Sequence, residues 1–229
     1  MKLAAHQTQY IPYPGVLNKF FDADIFVFQD DLQFVKQEYQ NRNRIRTVDG
    51  WRWLTIPVHF KRDYKISEVY PAEEEWPKRH KGILNTVYYR SSYLQCLEEF
   101  WEIAASCKQE ALSTIGFKTT CSLASLISPQ KFKNKRIFLE SELNLTKEEC
   151  STPTKRLISL CKKLGCSQYI SGQGANDYID FAEWEAGGVD LLWQDFSLKR
   201  YTQAYPGWVA NLSVIDLMLS VKEPIIYLQ

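Results

Sequence analysis

His6-Gln7-Thr8-Gln9-Tyr10-Ile11-Pro12-Tyr13-Pro14-Gly15 places a lone histidine at the end of a short apolar run, before a turn-rich loop. Histidine changes charge near neutral pH, so it can serve as acid or base, or neutralise charge developing on a phosphate. Gln9 and Tyr10 offer polar groups on the same loop, and Gly15 allows backbone to approach an anion where the next helix begins. A loop histidine bonded to a backbone carbonyl is the equal alternative. A second group is Gln29-Asp30-Asp31-Leu32-Gln33-Phe34. Its carboxylates could hold Mg²⁺ with substrate phosphates, orient a sugar hydroxyl or take a proton from an amine. Adjacent residues on an extended chain point apart, so both rarely serve one metal, and an Asp-rich turn is the plain alternative. A third is Gln40-Asn41-Arg42-Asn43-Arg44-Ile45-Arg46. Its arginines share a face if the segment is extended, and their forks suit phosphate and carboxylate. Asn41 and Asn43 could bond a sugar or base edge. In the fourth, Ser171-Gly172-Gln173-Gly174-Ala175-Asn176-Asp177-Tyr178, glycines between a strand and a helix make an anion cradle, or a tight turn capped by Asn176 or Asp177. It lacks the full dinucleotide fingerprint, the lysine of a phosphate-binding loop and the G-x-S-x-G of a serine hydrolase. His6, Asp30 and Asp31 are thus the catalytic candidates. Gln9, Tyr10, Gly15, Gln33, Asn41, Arg42, Asn43, Arg44, Ser171, Gly172, Gly174, Asp177 and Tyr178 are the binding candidates. His59 and His80 lack a convincing partner and read as structural.

These groups need elements to hold them. Lys2 to His6 reads as a strand, Val16 to Asp22 as a short helix, and Asp24 to Phe28 as a continuous apolar run suited to a buried parallel strand. Residues 29–50 are polar, Trp51 to Val58 reads as a strand ending at Pro57, and 61–76 is irregular. The pattern is helical from Pro77 to about Ile127, where Ser128-Pro129 stops it. Four basic residues from Lys131 to Arg136 suit a solvated loop. Ile137 to Leu139 is a strand, and Thr152-Pro153 starts a helix that Gly165 ends. Gln168 to Ile170 is a strand, Ala175 to Glu185 a helix, and Val189 to Trp193 a further strand. This alternation predicts an α/β fold, with a mainly parallel Rossmann-like sheet, helices on both faces and a helical insertion. Residues 1–229 then form a single domain with a helical lobe at about 77–127. In such sheets ligands bind beyond the carboxyl ends of the strands, where His6 falls.

The 229 residues, 45% apolar and 24% charged, suffice for a real core. The net charge of +1 provides no global field for nucleic acid. The start turns polar too soon for a signal peptide, and no apolar run spans a bilayer, so a cytoplasmic location is expected. Six cysteines, without a C-x-x-C pair or a histidine at metal spacing, read as small buried thiols, and no metal ligand set emerges. An aromatic content of 14% suits core and interface packing, so a second copy of the chain is an admissible partner.

Taken in order, these stretches resemble the WbqC-like family. The resemblance rests on His6-Gln7-x-Gln9-Tyr10-x-Pro12, Asp24-x-Phe26-Val27-Phe28-x-Asp30-Asp31-x-Gln33-Phe34, Gln40-Asn41-Arg42-Asn43-Arg44-Ile45 and Trp53-Leu54-Thr55-Ile56-Pro57-Val58. Ser171-Gly172-x-Gly174-Ala175-x-Asp177-Tyr178 and Leu212-Ser213-x-Ile215-Asp216 extend it along nearly the whole chain. It implies a bacterial protein, often encoded among genes for O-antigen, other surface polysaccharides or natural products. The opening is also similar, more faintly, to pantothenate synthetases and other HIGH-type nucleotidyltransferases, which implies ATP as a cofactor. The paired histidines of H-x-G-H are absent, since Tyr10 stands four residues after His6. The expected activity is acylation or aminoacylation of the amino group of a nucleotide-linked amino sugar. The partners are then that sugar and an acyl or amino-acid donor, with ATP and Mg²⁺ as candidate cofactors. The alternative is a non-catalytic module that binds a nucleotide sugar and organises polysaccharide enzymes.

Overall fold

The structure, a computed structural model, describes residues Met1–Gln229. The chain opens with β1 (Lys2–Gln7), α1 (Pro14–Asp22) and β2 (Ile25–Gln29). Pro14, with its preset φ and no N–H to satisfy, starts α1 two residues ahead of the apolar pattern. An antiparallel hairpin of β3 (Arg42–Thr47) and β4 (Gly50–Thr55) follows, then the short pair β5 (Val58–His59) and β6 (Tyr70–Pro71). The helical stretch contains α2 (Trp76–Val87), α3 (Glu98–Ser106) and α4 (Leu112–Ile127), with α5 (Pro129–Lys133) beyond Ser128. Next come β7 (Arg136–Leu139), α6 (Pro153–Lys163), β8 (Gln168–Ser171), α7 (Phe181–Gly187), β9 (Asp190–Trp193) and α8 (Val214–Ser220).

Five strands form one all-parallel, Rossmann-like sheet in the order β7-β2-β1-β8-β9, as the alternation predicts. β1 is central. The chain builds outward on one side through β2 and β7, then crosses to β8 and β9 on the other. The order therefore reverses between β1 and β8, and the strand ends splay into a crevice there. Strand alternation sorts side chains onto two faces. Ala4, Phe26, Phe28 and Ile170 pack with Leu17 and Phe20 of α1 and Leu123 of α4 in the larger core cluster. Leu3, Ala5, Ile25, Val27 and Tyr169 pack with Leu157, Leu160 and Cys161 of α6 and Trp184 of α7 in the second. All of β2 is buried, so its run of apolar residues needs no polar face.

Several local readings change. The basic stretch 131–136, expected as a loop, ends α5 and opens β7, and the strand expected over 51–58 stops at Thr55. Residues 42–47, within a stretch that reads simply as polar, form β3, because Arg42, Arg44 and Arg46 pair across from Thr55, Trp53 and Trp51. The helix expected over 175–185 splits into a 3-10 turn, Gln173–Asp177, and α7. Asp180 causes the break by capping α7, accepting from the Glu183 N–H at 3.0 Å. Thr152, by contrast, caps α6 where expected, accepting from the Lys155 N–H at 3.0 Å.

Candidate functional site

A cavity of about 710 Å³ opens over the carboxyl ends of β1, β2 and β8, at the point where the strand order reverses. His6 and Gln7 at the end of β1, Gln29 at the end of β2, and Tyr169, Ser171, Gly172, Gly174 and Tyr178 from β8 and its turn line it. Lys19 enters from α1 on one face of the sheet, and Arg156 from α6 on the other. The two cations differ. Arg156 pairs with Glu140, which also accepts from Gln29 Nε2 at 2.9 Å. Lys19 Nζ donates to the Ala5 carbonyl at 2.9 Å and belongs to no ion pair.

The environment moves several pKa values. Desolvation and the neighbouring Lys19 charge push His6 down to about 3, against a small upward pull from its bond to Gln7. His6 is therefore an uncharged imidazole at neutral pH. Its Nδ1 lies 3.0 Å from the Gln7 carbonyl, which can only accept, so Nδ1 carries the proton and Nε2 is the free acceptor. Burial lowers Lys19 to about 8, so the ammonium still predominates at neutral pH. Burial raises Glu140, while Gln29 and Arg156 hold it back. The cavity can thus accept a proton at His6 and an anion at Lys19.

The turn after β8 has a further property. Gly172 has φ −75°, and neither it nor Gly174 has a positive φ. A Cβ on Gly174 would meet nothing within 4 Å, and one on Gly172 only Gln194 Oε1 at 3.9 Å. Neither backbone strain nor packing requires glycine at these positions. Their bareness instead leaves the cavity wall open to a ligand.

The family's sequence profile matches residues 7–226. The chain belongs to the WbqC-like protein family. Rv1507c, an uncharacterized protein of Mycobacterium tuberculosis (strain ATCC 25618 / H37Rv), is 29% identical over 227 residues, 96% of this chain and 94% of that protein. No solved structure matches the chain.

Within this WbqC-like fold, His6, Ser171, Gly172, Gly174 and Tyr178 meet at the cavity, and the other expected site residues stand apart from its lining. Both Asp30 oxygens are engaged by Ser141, its N–H at 3.0 Å and its hydroxyl at 2.6 Å. Asp31 pairs with Lys65 at 2.5 Å. The two carboxylates diverge and do not fit a shared Mg²⁺. Gln33 donates to the Arg62 carbonyl. Tyr10 is fully buried, its hydroxyl 2.9 Å from His80 Nδ1. Gln9 meets α4 through its backbone, Gly15 packs against Tyr13 and Phe196, and Asp177 lies exposed. Asn41 and Asn43 are buried and donate to the carbonyls of Ile56 and Ile11. Arg42 stacks 4.0 Å from the Trp53 ring and Arg44 5.0 Å from that of Trp51, so both arginines lie along the hairpin face. The segment leading into the hairpin reaches the site through Gln40, whose Nε2 donates to Gln7 Oε1 at 2.9 Å.

Much of the WbqC-like motif is therefore a buried hydrogen-bonded frame around the site. Sequence reasoning passed over Lys19, Glu140 and Arg156, and named Gln29 without giving it a role. Lys19 leaves a trace: it lies between Val16 and Phe20 on the apolar face of its helix, where a cation is out of place. The pairing of Glu140 with Arg156 leaves none, because it joins two elements that only the fold brings together.

Proposed function

We propose that the cavity binds a nucleotide-linked amino sugar and that the chain acylates its amino group. The observation that carries this reading is an uncharged His6, with Nε2 free, in a cavity that also holds a cation and a bare glycine turn. A sugar amine must lose a proton as it attacks an acyl carbon. The C–N bond forms, the bond from the acyl carbon to the donor's leaving group breaks, and His6 Nε2 accepts the amine proton. An imidazole with a pKa near 3 is a weak base. Burial is the larger cause of that depression, and an anionic substrate beside Lys19 offsets the smaller, charge-based part of it. The polar lining of the cavity would hold the sugar nucleotide, or ATP where the donor is an amino acid. Mg²⁺ has no evident seat at Asp30 and Asp31. Membership of the WbqC-like family supports a place in bacterial surface-glycan synthesis.

The test incubates the purified protein with nucleoside-diphosphate amino sugars and either an amino acid with ATP or an acyl thioester. Mass spectrometry should show the added acyl group. AMP, ADP or pyrophosphate released with product marks an ATP ligase, and product without them marks direct transfer. The engagement of Asp30 and Asp31 elsewhere removes carboxylates that could orient an amine, and this favours a second reading: a module that binds the sugar nucleotide without turnover. Ligand stabilisation without product from either donor class, with His6→Ala still complementing a deletion strain, would establish that reading instead.

A further inference from the structure

Lys19 is only 6% exposed, on a helix face otherwise turned to the core. An ammonium has three N–H donors, and one is used, on the Ala5 carbonyl. No carboxylate pairs with it, whereas Glu140 neutralises Arg156 on the opposite wall. The cavity therefore holds an uncompensated buried positive charge. Such a charge is costly to keep in a folded chain unless an anion meets it. Across β1 from Lys19 stands the turn after β8, whose glycines answer no demand of the fold.

We propose that Lys19 is the seat of a ligand phosphoryl group, held between its ammonium and the Ser171–Gly174 turn. This rests on reading the cavity as a substrate site, and it names the group that anchors the substrate. A phosphoryl group presents oxygens in several directions, which suits donors arriving from both sides of β1. A carboxylate presents two oxygens in one plane and is better served by an arginine fork. The charged and titratable groups that share the cavity with Lys19 are His6 from β1, Tyr169 and Tyr178 from β8 and its turn, and Cys150 and Arg156, with Glu140 paired to it, from the α6 side. Arrival of a phosphoryl dianion favours the protonated form of Lys19, so binding near pH 8 takes up protons.

Calorimetric titration with inorganic pyrophosphate, and in parallel with uridine diphosphate, tests this between pH 6.5 and 9.5. The affinity of the unaltered protein should fall as pH rises through about 8, where Lys19 loses its proton. Proton uptake by Lys19 at pH 8 should appear as a dependence of the binding heat on buffer ionisation enthalpy. Lys19→Met should weaken binding by about tenfold or more and abolish the pH break. Its thermal midpoint should hold, because an unbranched apolar chain replaces an unpaired charge. Tighter binding of uridine diphosphate than of pyrophosphate would identify a nucleotide as the source of the phosphoryl group, and equal binding a free phosphate product. Absence of pyrophosphate binding, affinity indifferent to pH from 7 to 9, or undiminished binding by Lys19→Met would each overturn the proposal. The pH titration needs no variant, so it stands even if Lys19→Met fails to fold. Amide formation without a Lys19-dependent phosphoryl seat would spare the enzyme reading. The seat without amide formation would spare this one.

Discussion

Tyr10 and His80 hold each other in one proton arrangement. His80 Nε2 donates to the Thr55 carbonyl at 3.0 Å, which leaves Nδ1 to accept from the Tyr10 hydroxyl at 2.9 Å. Protonation of Nδ1 destroys that acceptor. Burial accordingly lowers His80 to about 4, as it lowers His6 to about 3. In the unfolded chain both titrate near the ordinary value of 6.5. The unfolded state thus binds more protons below that value, so stability is complete above pH 6.5 and declines as pH falls toward 4 and then 3. Urea unfolding at pH 7.5, 5.5 and 4.5 should show this decline, and His80→Gln should flatten it. An unaltered protein equally stable at all three values would refute the assignment. At the same scale, Asp30 and Asp31 show the limit of residue type alone. Each is a capable ligand, yet Ser141 engages one and Lys65 the other.

At the scale of elements, the loop after His6 is set by a helix distant in sequence. Gly116 of α4 stands so close to this loop that a Cβ would lie 3.1 Å from both the Gln9 amide nitrogen and Thr8 Cβ. Thr120, one turn on, donates to the Gln9 carbonyl at 3.1 Å. Backbone cannot give way as a side-chain tip can, so Gly116→Ala should cost about 1–3 kcal/mol and weaken ligand binding by shifting the loop. Gly174→Ala should behave oppositely in one respect. Its methyl meets open space, so the fold should gain up to about 1 kcal/mol through the stiffer unfolded chain, while the narrowed cavity wall loses ligand affinity. Thermal melts and pyrophosphate titrations of the two variants check both. Destabilisation by Gly174→Ala with intact binding would show that the glycine serves the fold.

For the whole molecule, Asp216 ties distant segments together. Its carboxylate accepts from the Tyr88 and Tyr201 hydroxyls at 2.7 Å each and from Gln203 Nε2 at 3.2 Å. Tyr88 also accepts from the Arg46 N–H at 3.0 Å, so α8, the segment around 201–203, the end of α2 and β3 share one buried network. Burial raises the Asp216 pKa, and the three donors resist that rise. Asp216→Ala should cost about 3 kcal/mol, since it leaves buried hydroxyl and amide donors without their acceptor. A shifted urea midpoint with an unchanged slope would bear this out, and a midpoint within error of the unaltered protein would count against it. Asp216 does not line the cavity, so the affinity of the folded fraction for pyrophosphate should persist.

The strands of the central sheet, the start of α6 and the strand-end position of His6 were all legible in the sequence. Each rests on a local rule: apolar runs, a proline at the first helical position, a capping hydroxyl, or alternation of strand and helix. The order β7-β2-β1-β8-β9, and with it the switch point, depends on pairing between residues far apart, which local pattern does not encode. The same holds for polar partners. Asp30, Asn43 and Tyr10 advertise chemistry by type, but only folding shows that Ser141, Ile11 and His80 already engage them. Lys19 is the converse. Its place on the apolar face of α1 is only a faint signal, and the closed α1–β1 interface alone buries its ammonium without a counter-ion at the cavity wall. Charge acquires its meaning from what surrounds it, and that is settled by the tertiary structure.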